Sequence, residues 1–462
     1  MNWNEPSQDS PRWLNLTVLA LGLAAVSYLA FDFSLTAIVT LGVVCVLSLV
    51  ILSPDTVLYL YAASLFLFQV PAFHDSEISV PTIAGVLFLV AAGVRQLRGS
   101  VEHGTRSKIP LVLAILTALY LGLALVNPAW SFTHLWMTLT YFGLFATTWA
   151  ASLELRNPIR AWRVSWVLCV GSAIVSLEAV YEGWTGHYNL AGLYPSHDER
   201  AYGLADPNFT AAFLVTMLPF IVANFVRTKN FMVKLLTAGL TLLSLVGIVM
   251  TASRGGAMGC LLVLLILALL FAFKTKSGTA VGGGCERAFG VWGRVGLLGL
   301  LIGTTVFAAF MAPQNMWTRL STVHDWSDPK KEDRLQIWDM YLERWRESPW
   351  VGQGAGYLEE REMEPHNTPL QNLVEVGVLG LAGFLVLNAF ALWESSGASR
   401  RFAAQGMHDM SALSNAVVAS LIGFHCTGFF LTSARHKELW FLVGFAAALF
   451  HVAGRNPVNL LR

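Results

Sequence analysis

The chain has 462 residues, of which 55% are hydrophobic and only 13% are charged, and its formal net charge at pH 7 is +1. Its mean hydropathy of +0.57 reflects more apolar sequence than the core of a soluble protein could bury, so a soluble globular fold is excluded. A nearly neutral chain whose basic residues lie in short clusters is also unlike a nucleic-acid-binding protein. These properties predict an all-α polytopic membrane protein surrounded by membrane lipids.

Apolar runs of membrane-spanning length recur along the whole chain. A helix needs about 20 apolar residues to cross the hydrocarbon core, and about fourteen runs approach this length. The first two are short and weakly bounded, so the predicted count is about twelve to fourteen, in one integral membrane domain over residues 1–462. In chain order the predicted spans are Trp13 to Ala30, Leu35 to Leu52, Val57 to Phe73, Pro81 to Leu97, Ile109 to Val126, Leu135 to Leu153, Val164 to Glu182, Phe209 to Phe225, Leu235 to Thr251, Ala257 to Phe273, Val295 to Ala312, Leu370 to Trp393, Ala412 to Leu431 and Leu439 to Ala453.

Lysine and arginine residues predict the orientation. With the amino terminus in the cytoplasm, 19 of the 30 basic residues fall in inside segments and 11 in outside segments, and seven of those 11 belong to one long loop. Because long loops escape the positive-inside rule, the remaining excess favours cytoplasmic positions for both termini. Two long segments then lie outside, at residues 183–208 and 313–368, and the functional residues are predicted there.

The sequence indicates neither a metal site nor a nucleotide site. The five cysteines include no Cys-x-x-Cys pair, which argues against a disulfide framework or a zinc site. Asp325 and Asp328 stand close together in the long outer loop, but their spacing suits a solvated turn better than a divalent-ion site. The glycine-rich inner segment 278–284 contains no Walker-type phosphate loop. No metal and no cofactor are therefore predicted.

The first outer loop ends in a helix start that carries an arginine. Residues 200–208 read Arg-Ala-Tyr-Gly-Leu-Ala-Asp-Pro-Asn, in which Asp206 and Pro207 are typical of an N-cap and a first helical residue. This assignment brings Arg200 to the outer face of the membrane. The other polar residues of the segment, Tyr202, Asp206 and Asn208, are interpreted as structural.

A second arginine reaches the same face at Arg254, within Thr-Ala-Ser-Arg-Gly-Gly at residues 251–256. Gly255 is predicted to cap the C-terminus of the span that ends here. In one interpretation the guanidinium only satisfies the last carbonyls of that helix and reaches the lipid headgroups. In the other it binds a ligand together with Arg200, because two guanidiniums can hold a pyrophosphate without a metal ion.

The long outer loop contains a helix signal of its own. Apolar side chains recur at helical spacing in residues 333–348, which predicts an amphipathic helix on the outer leaflet with its tryptophans at headgroup depth. The apolar positions are Leu335, Trp338, Leu342 and Trp345. Arg344 and Arg346 are interpreted as membrane anchors. The glycine-rich run at residues 352–356 is a weak match to a phosphate loop and allows a ligand to approach the backbone closely.

His366 closes the long outer loop immediately before the next span. Thr368, Pro369 and Gln371 fit an N-cap, a first helical residue and a capping-box partner, so the helix start is predicted to be rigid. The positive potential of a helix N-terminus disfavours imidazolium, which predicts a neutral histidine near pH 7 unless Glu364 outweighs that potential. His366 is then either a base in a site or a polar residue that helps to cap the helix.

Three motifs in this order resemble the O-antigen ligase and polymerase superfamily of bacterial envelope glycosyltransferases. They are Arg-x-x-Gly-x-x-x-Pro-Asn at residues 200–208, Ser-Arg-Gly-Gly at residues 253–256, and Pro-His-Asn leading into Leu-Val-Glu-Val-Gly at residues 365–377. The resemblance covers roughly residues 183–385. It implies a GT-C-like glycosyltransferase of the bacterial inner membrane whose active site faces the periplasm.

The resemblance also implies substrates and residue roles. The donor would be a glycan linked to undecaprenyl pyrophosphate, and the acceptor would be lipid A-core or another glycan. Transfer would need no metal ion and would invert the anomeric carbon. Arg200 and Arg254 would hold the pyrophosphate and stabilise its departure, with Arg334 and then Arg319 as further sources of positive charge. His366 would position or deprotonate the acceptor hydroxyl.

Four functions are weighed on this basis. Ligation to lipid A-core is preferred, because one moderately long outer loop, a late histidine and cytoplasmic termini match that branch of the superfamily. An O-antigen or exopolysaccharide polymerase would use the same donor with a lipid-linked sugar as acceptor. A protein O-oligosaccharyltransferase commonly carries a larger periplasmic extension. A lipid-glycan flippase would place ionisable residues near the bilayer midplane, whereas few candidates lie within spans, namely Glu178, Glu375 and His425.

Overall fold

The computed structural model describes seven stretches of the chain and three isolated positions. The stretches are residues 54–67, 79–97, 107–126, 132–187, 200–272, 329–360 and 364–455, and the positions are 299, 303 and 317. The helices of these stretches, numbered in chain order, are α1 (Pro54–Ser64), α2 (Val80–Leu97), α3 (Ile109–Val126), α4 (Phe132–Glu154), α5 (Pro158–Thr185), α6 (Pro207–Arg227), α7 (Phe231–Met250), α8 (Arg254–Ala272), α9 (Pro329–Glu347), α10 (Thr368–Ala404), α11 (His408–Gly428) and α12 (Lys437–Ala453). Short 3-10 helices lie at Leu65–Leu67 and Tyr357–Glu360.

The helices have the length and composition of a multi-pass membrane protein. Helices α5, α6, α7, α10 and α11 are long and apolar enough to cross a membrane. Shorter apolar helices cover Asp55–Leu67, Val80–Gln96, Ile109–Leu125 and Arg254–Leu270. The spans predicted at residues 13–30 and 35–52 lie outside the described residues, as does the span at 295–312 apart from positions 299 and 303. The predicted all-α polytopic fold is confirmed for the part of the chain that the structure describes, in which no β-strand occurs.

Four helix ends meet in an ion-pair cluster, formed by Asp55, Arg95, Glu154 and Arg160. The Arg95 guanidinium, in the last turn of α2, lies 2.6 Å from the Asp55 carboxylate and 2.5 Å from the Glu154 carboxylate. The Arg160 guanidinium, near the start of α5, lies 2.8 and 3.3 Å from the same two carboxylates. Asp55 stands at the start of α1 and Glu154 at the end of α4. Two helix starts and two helix ends therefore share this end of the bundle, as the alternating topology predicted from the basic residues requires.

Helices α6 and α11 form the centre of the bundle and are buried along most of their length. Helix α8 packs closely on both. A Cβ at Gly423 in α11 would lie 2.6 Å from the Val263 side chain, and a Cβ at Gly256 in α8 would lie 2.5 Å from the Ala211 Cβ. Small residues allow such close approach between membrane helices. The contact at Gly256 brings the first turns of α6 and α8 together.

Helix α10 is broken at Gly377, where φ is 67° and ψ is −171°. A Cβ at this position would lie 2.3 Å from the Trp350 carbonyl oxygen, so only glycine lets the preceding loop cross here. That loop satisfies a carbonyl exposed by the break, because the N–H of Gly354 donates to the Glu375 carbonyl at 2.9 Å. The glycine-rich run at residues 352–356 thus completes the broken helix, and its interpretation as a phosphate loop is not supported.

Candidate functional site

Asn367 caps the helix that follows His366. Its side-chain oxygen accepts a hydrogen bond from the Leu370 N–H at 2.8 Å. The prediction of Thr368 as the N-cap was wrong by one residue. The Thr368 hydroxyl donates instead to the Leu431 carbonyl at 2.6 Å, so it does not cap its own helix.

The loop at residues 428–436 fastens the first turn of α10. The Asn367 side-chain N–H donates to the Phe429 carbonyl at 3.1 Å. The Gln371 side-chain oxygen accepts from the Ala434 N–H at 3.1 Å, so Gln371 is not the predicted capping-box partner. The start of α10 is held by tertiary hydrogen bonds, in addition to the local cap.

The backbone of His366 adopts a left-handed conformation with φ of 45°. Few residues other than glycine do so, and they need firm support from their surroundings. Support comes from both neighbours in the chain. The indole N–H of Trp338 donates to the Pro365 carbonyl at 2.7 Å, and the cap at Asn367 fixes the following residue. The direction in which the His366 side chain leaves the backbone is thus fixed.

The pKa of His366 is lowered, so its imidazole is neutral near pH 7. The first cause is partial burial, which removes solvent from the charged form. Glu364, whose carboxylate lies 3.9 Å from Nδ1, and Asp206 act to raise the pKa, whereas the positive charge of Arg334 lowers it further. The lowered pKa agrees with the prediction from the sequence, but its leading cause is burial and not the helix N-terminus.

Arg200 is largely buried just before α6, with 9% of its surface exposed. Its guanidinium donates to the Asn208 side-chain oxygen at 3.4 Å. Asp206 caps α6 by accepting from the Asn208 N–H at 2.9 Å, and Pro207 begins the helix. The predicted roles of Asp206 and Pro207 are confirmed, and they fix Arg200 at the end of the bundle from which α6 starts.

Arg254 is the first residue of α8. The chain turns at Ala252, which has φ of 49°. The Ser253 hydroxyl oxygen then accepts from the Gly256 N–H at 3.2 Å and so caps the new helix. The prediction that Gly255 caps the preceding span was wrong, because the turn occurs three residues earlier and Gly255 already lies within α8. Arg254 therefore stands at a helix start.

Arg334, in α9, shows that the predicted arginines converge. Its side chain is open to solvent on one side, yet burial lowers its pKa and the positive charges of Arg254 and Arg200 lower it further. Like charges act in this way only at short range. Arg334 in turn acts on His366. Backbone geometry agrees, because Trp338 bonds to Pro365 beside His366 and the first turns of α6 and α8 are in contact at Gly256. Four of the five predicted site residues thus lie together, and we call them the arginine face; the fifth, Arg319, lies outside the described residues.

Helix α9 packs on protein rather than on lipid. Its apolar side is formed by Ile337, Trp338, Tyr341, Leu342 and Trp345, which pack against the first turns of α10. Leu335, predicted to belong to this side, is 50% exposed. The helix was predicted correctly, but its apolar side packs on α10 and was not predicted to do so, and the indole of Trp338 bonds to the turn before His366. This packing holds Arg334 over the site.

Two side chains near this face were not singled out by the sequence analysis. The rings of Phe209, in the first turn of α6, and His436 are stacked with centroids 4.8 Å apart. His436 Nδ1 lies 2.9 Å from the carboxylate of Glu438, which is buried. A signal was present, because Arg435, His436 and Lys437 form a basic triplet in a predicted outer segment, against the positive-inside pattern.

A small cavity of about 30 Å³ lies beside the break in α10. Its polar lining includes Tyr120, His134 and Glu375, and the Arg435 guanidinium lies 3.4 Å from the Glu375 carboxylate. This volume admits water but no sugar. Within the described stretches, no three His, Cys, Asp or Glu side chains are grouped as a metal ion would need.

The arginine face combines clustered positive charge with a neutral base. Guanidiniums bind phosphate oxygens bidentately and stay charged at all physiological pH values. A neutral imidazole can accept a proton from a hydroxyl group. The combination suits a transfer reaction in which negative charge develops on a departing phosphate.

Residues 239–385 match the family described as O-antigen ligase. This match supports the resemblance to the O-antigen ligase superfamily. The matched segment is about a third of the chain and runs from α7 into α10, so it contains Arg254, Arg334 and His366 but not Arg200. The O-antigen ligase family consists of glycosyltransferase-like enzymes of ligase or polymerase type. A comparison with curated proteins gave no match.

Proposed function

We propose that this chain is a ligase that moves a glycan from undecaprenyl pyrophosphate to lipid A-core at the periplasmic face of the inner membrane. The observation that carries the proposal is the convergence of three arginines beside a neutral histidine. The O-antigen ligase match supports the same class of reaction. Membrane lipids and the two lipid-linked substrates are then its partners.

The arginines hold the donor in this proposal. Arg200 and Arg254 bind the two phosphates, and Arg334 adds positive charge from α9. Charge that develops on the leaving pyrophosphate is stabilised by guanidiniums already in place, so no reorganisation is needed during the reaction. Their mutual repulsion, which together with burial lowers the pKa of Arg334, is relieved when a multiply charged anion binds. Arg319 is a further candidate for this role.

His366 activates the acceptor. The acceptor oxygen forms a bond to the anomeric carbon while the bond from that carbon to the pyrophosphate oxygen breaks. The bonding electrons leave with the pyrophosphate, and His366 takes the hydroxyl proton. Attack from the side opposite the leaving group inverts the anomeric configuration. A lowered histidine pKa keeps the proton-accepting form available near pH 7.

Complementation of a ligase-null Gram-negative host tests the proposal. Native chain, His366→Ala and His408→Ala are expressed, and lipopolysaccharide is resolved on a gel while membrane levels are measured by blot. His408 is the matched control, because it is an exposed histidine at the start of α11, at the other end of the bundle. We expect a ladder with native chain and His408→Ala and none with His366→Ala.

Two results would contradict this assignment. A full ladder from His366→Ala would remove His366 from the chemistry. Absence of a ladder from well-expressed native chain would argue against ligation, and a polymerase-null host is the second arm for that case. Lengthened glycan there would identify a polymerase that uses the same donor and extends a lipid-linked sugar.

A further inference from the structure

Glu182 is a buried carboxylate, near the end of α5, that the chemistry above does not use. Its exposed fraction is 0%. One carboxylate oxygen accepts hydrogen bonds from the N–H groups of Tyr202 and Gly203, at 2.5 and 2.9 Å. A buried charge is costly unless it is hydrogen-bonded. The two bonds therefore tie the end of α5 to the segment that follows Arg200.

The two N–H groups form a small anion-binding turn. Successive backbone N–H groups that point to one side make such a concavity, known as a nest. Gly203, with φ of 60°, gives the backbone the required curvature. The Thr210 hydroxyl donates to the Tyr202 carbonyl from the other side. The segment is thus held between α5 and α6, with the Glu182 carboxylate filling the nest.

The same segment is joined to the turn that carries Arg254. The residue after Arg200 donates its N–H to the Met250 carbonyl at 3.2 Å. Met250 ends α7, four residues before Arg254, and packs on the helix that bears Glu182. A Cβ at Gly183 would lie 2.6 Å from the Met250 sulfur. The segments of both arginines therefore share one framework, anchored to α5.

We infer that Glu182 is a positioning residue that fixes the separation of Arg200 and Arg254 for a diphosphate ligand. The inference rests on the proposed function, which supplies the lipid pyrophosphate as that ligand. Two guanidiniums discriminate a diphosphate from a monophosphate only if their separation is fixed. By filling the nest, Glu182 also keeps the N–H groups of residues 202 and 203 away from the phosphates. It acts through the backbone of the segment that follows Arg200.

Binding of two lipids to purified full-length chain in detergent tests the inference. The probes are undecaprenyl pyrophosphate and undecaprenyl phosphate. In Glu182→Ala we expect affinity for the diphosphate to fall roughly tenfold or more, because a small misplacement of a binding group has large effects. Affinity for the monophosphate should change little, so the preference for diphosphate is lost. Glu182→Gln, whose amide oxygen can still accept both bonds, should retain most of the preference.

Controls separate this inference from its alternatives. Glu178→Gln alters a half-buried carboxylate one turn earlier in α5 and should bind as native chain does. Thermal unfolding of each variant identifies loss of fold, and Glu182→Gln keeps the test open if Glu182→Ala fails to fold. A native diphosphate preference in Glu182→Ala, or equal losses for both lipids, would overturn the positioning role. A native preference in Arg200→Ala would instead contradict the proposed donor site.

Discussion

The two ends of the helix bundle use arginine in opposite electrostatic settings. In the ion-pair cluster, each arginine lies within 3.3 Å of both acidic partners. At the arginine face, burial contributes most to the lowered pKa of Arg334, and the next contributions come from the charges of Arg254 and Arg200. In the ion-pair cluster, two arginines and two carboxylates neutralise one another and join four helices. The arginine face brings arginines close enough for their like charges to act on one another, and an anionic ligand can offset that repulsion.

This difference separates arginines that pair within the protein from arginines that are proposed to bind a ligand. Removal of a charge from the ion-pair cluster leaves the opposite charges partly buried and without a partner, so the stability of the protein falls. Removal of a charge from the arginine face relieves repulsion between arginines, so the protein should keep its stability while ligand binding falls. Four predictions test this difference, beginning with the largest expected effect.

Arg254→Ala should reduce glycan transfer by about 10²–10³-fold, the usual result of removing one group that stabilises developing charge. Its thermal midpoint should stay the same or rise, since a like charge near Arg334 is removed. Arg254→Lys, which keeps the charge but not bidentate binding, should be intermediate. The initial rate with purified lipid-linked donor and lipid A-core, together with thermal unfolding in detergent, measures both effects. A stability loss without a rate loss would reverse the assignment.

Glu154→Ala should lower the free energy of unfolding by about 2 kcal/mol or more. The Glu154 carboxylate is 3% exposed and contacts both arginines of the ion-pair cluster. The transfer rate per folded molecule should not change. Thermal unfolding gives the first quantity and the rate assay the second, with Glu343→Ala, at an exposed carboxylate in α9, as the matched control. A selective loss of rate would show that the cluster serves the reaction.

The pH profile of transfer should rise as pH increases through the pKa of His366, because the neutral imidazole is the proton acceptor. Arg334 lowers that pKa and Glu364 raises it. Arg334→Gln should therefore move the acidic limb to higher pH, and Glu364→Gln should move it to lower pH. Rates normalised to each variant's maximum reveal the shift even where Arg334→Gln slows the reaction. Shifts in the same direction for both variants would exclude His366 as the titrating group.

Arg344→Ala should have the smallest effect. Its guanidinium pairs with Glu347 at 2.9 Å on the exposed side of α9, where solvent and salt screen the interaction. Neither the transfer rate nor the thermal midpoint should change measurably. A large rate loss would place this arginine in the donor site and extend the arginine face along α9.

Local signals in the sequence predicted some helix starts and missed others for a physical reason. Asp206 and Pro207 were assigned correctly, because an N-cap bond and a proline act within two or three residues. At the next such site, Asn367 rather than Thr368 is the cap. The threonine hydroxyl bonds to the loop at residues 428–436, and a partner some sixty residues later leaves no local trace.

Periodicity and composition likewise predict that an element forms but not what it packs against. The helical spacing of Trp338 and Trp345 predicted α9, yet spacing alone does not tell whether an apolar side meets lipid or protein. The prediction that Arg200, Arg254 and His366 share one site followed from topology and family resemblance, because all three were predicted at one face. The nest filled by Glu182 could not be predicted, since a carboxylate near a helix end gives no sign of its backbone partners.

The hydrogen bonds between the start of α10 and the loop at residues 428–436 have a consequence for synthesis. The acceptor carbonyl of Leu431 is synthesised 63 residues after Thr368. Until then the turn that holds His366 lacks these hydrogen bonds, although every arginine of the proposed site has already been synthesised. In the proposed mechanism, the alignment of the base is consequently completed after the charges of the site are in the chain, and a nascent chain released before residue 431 would carry those charges without the aligned base.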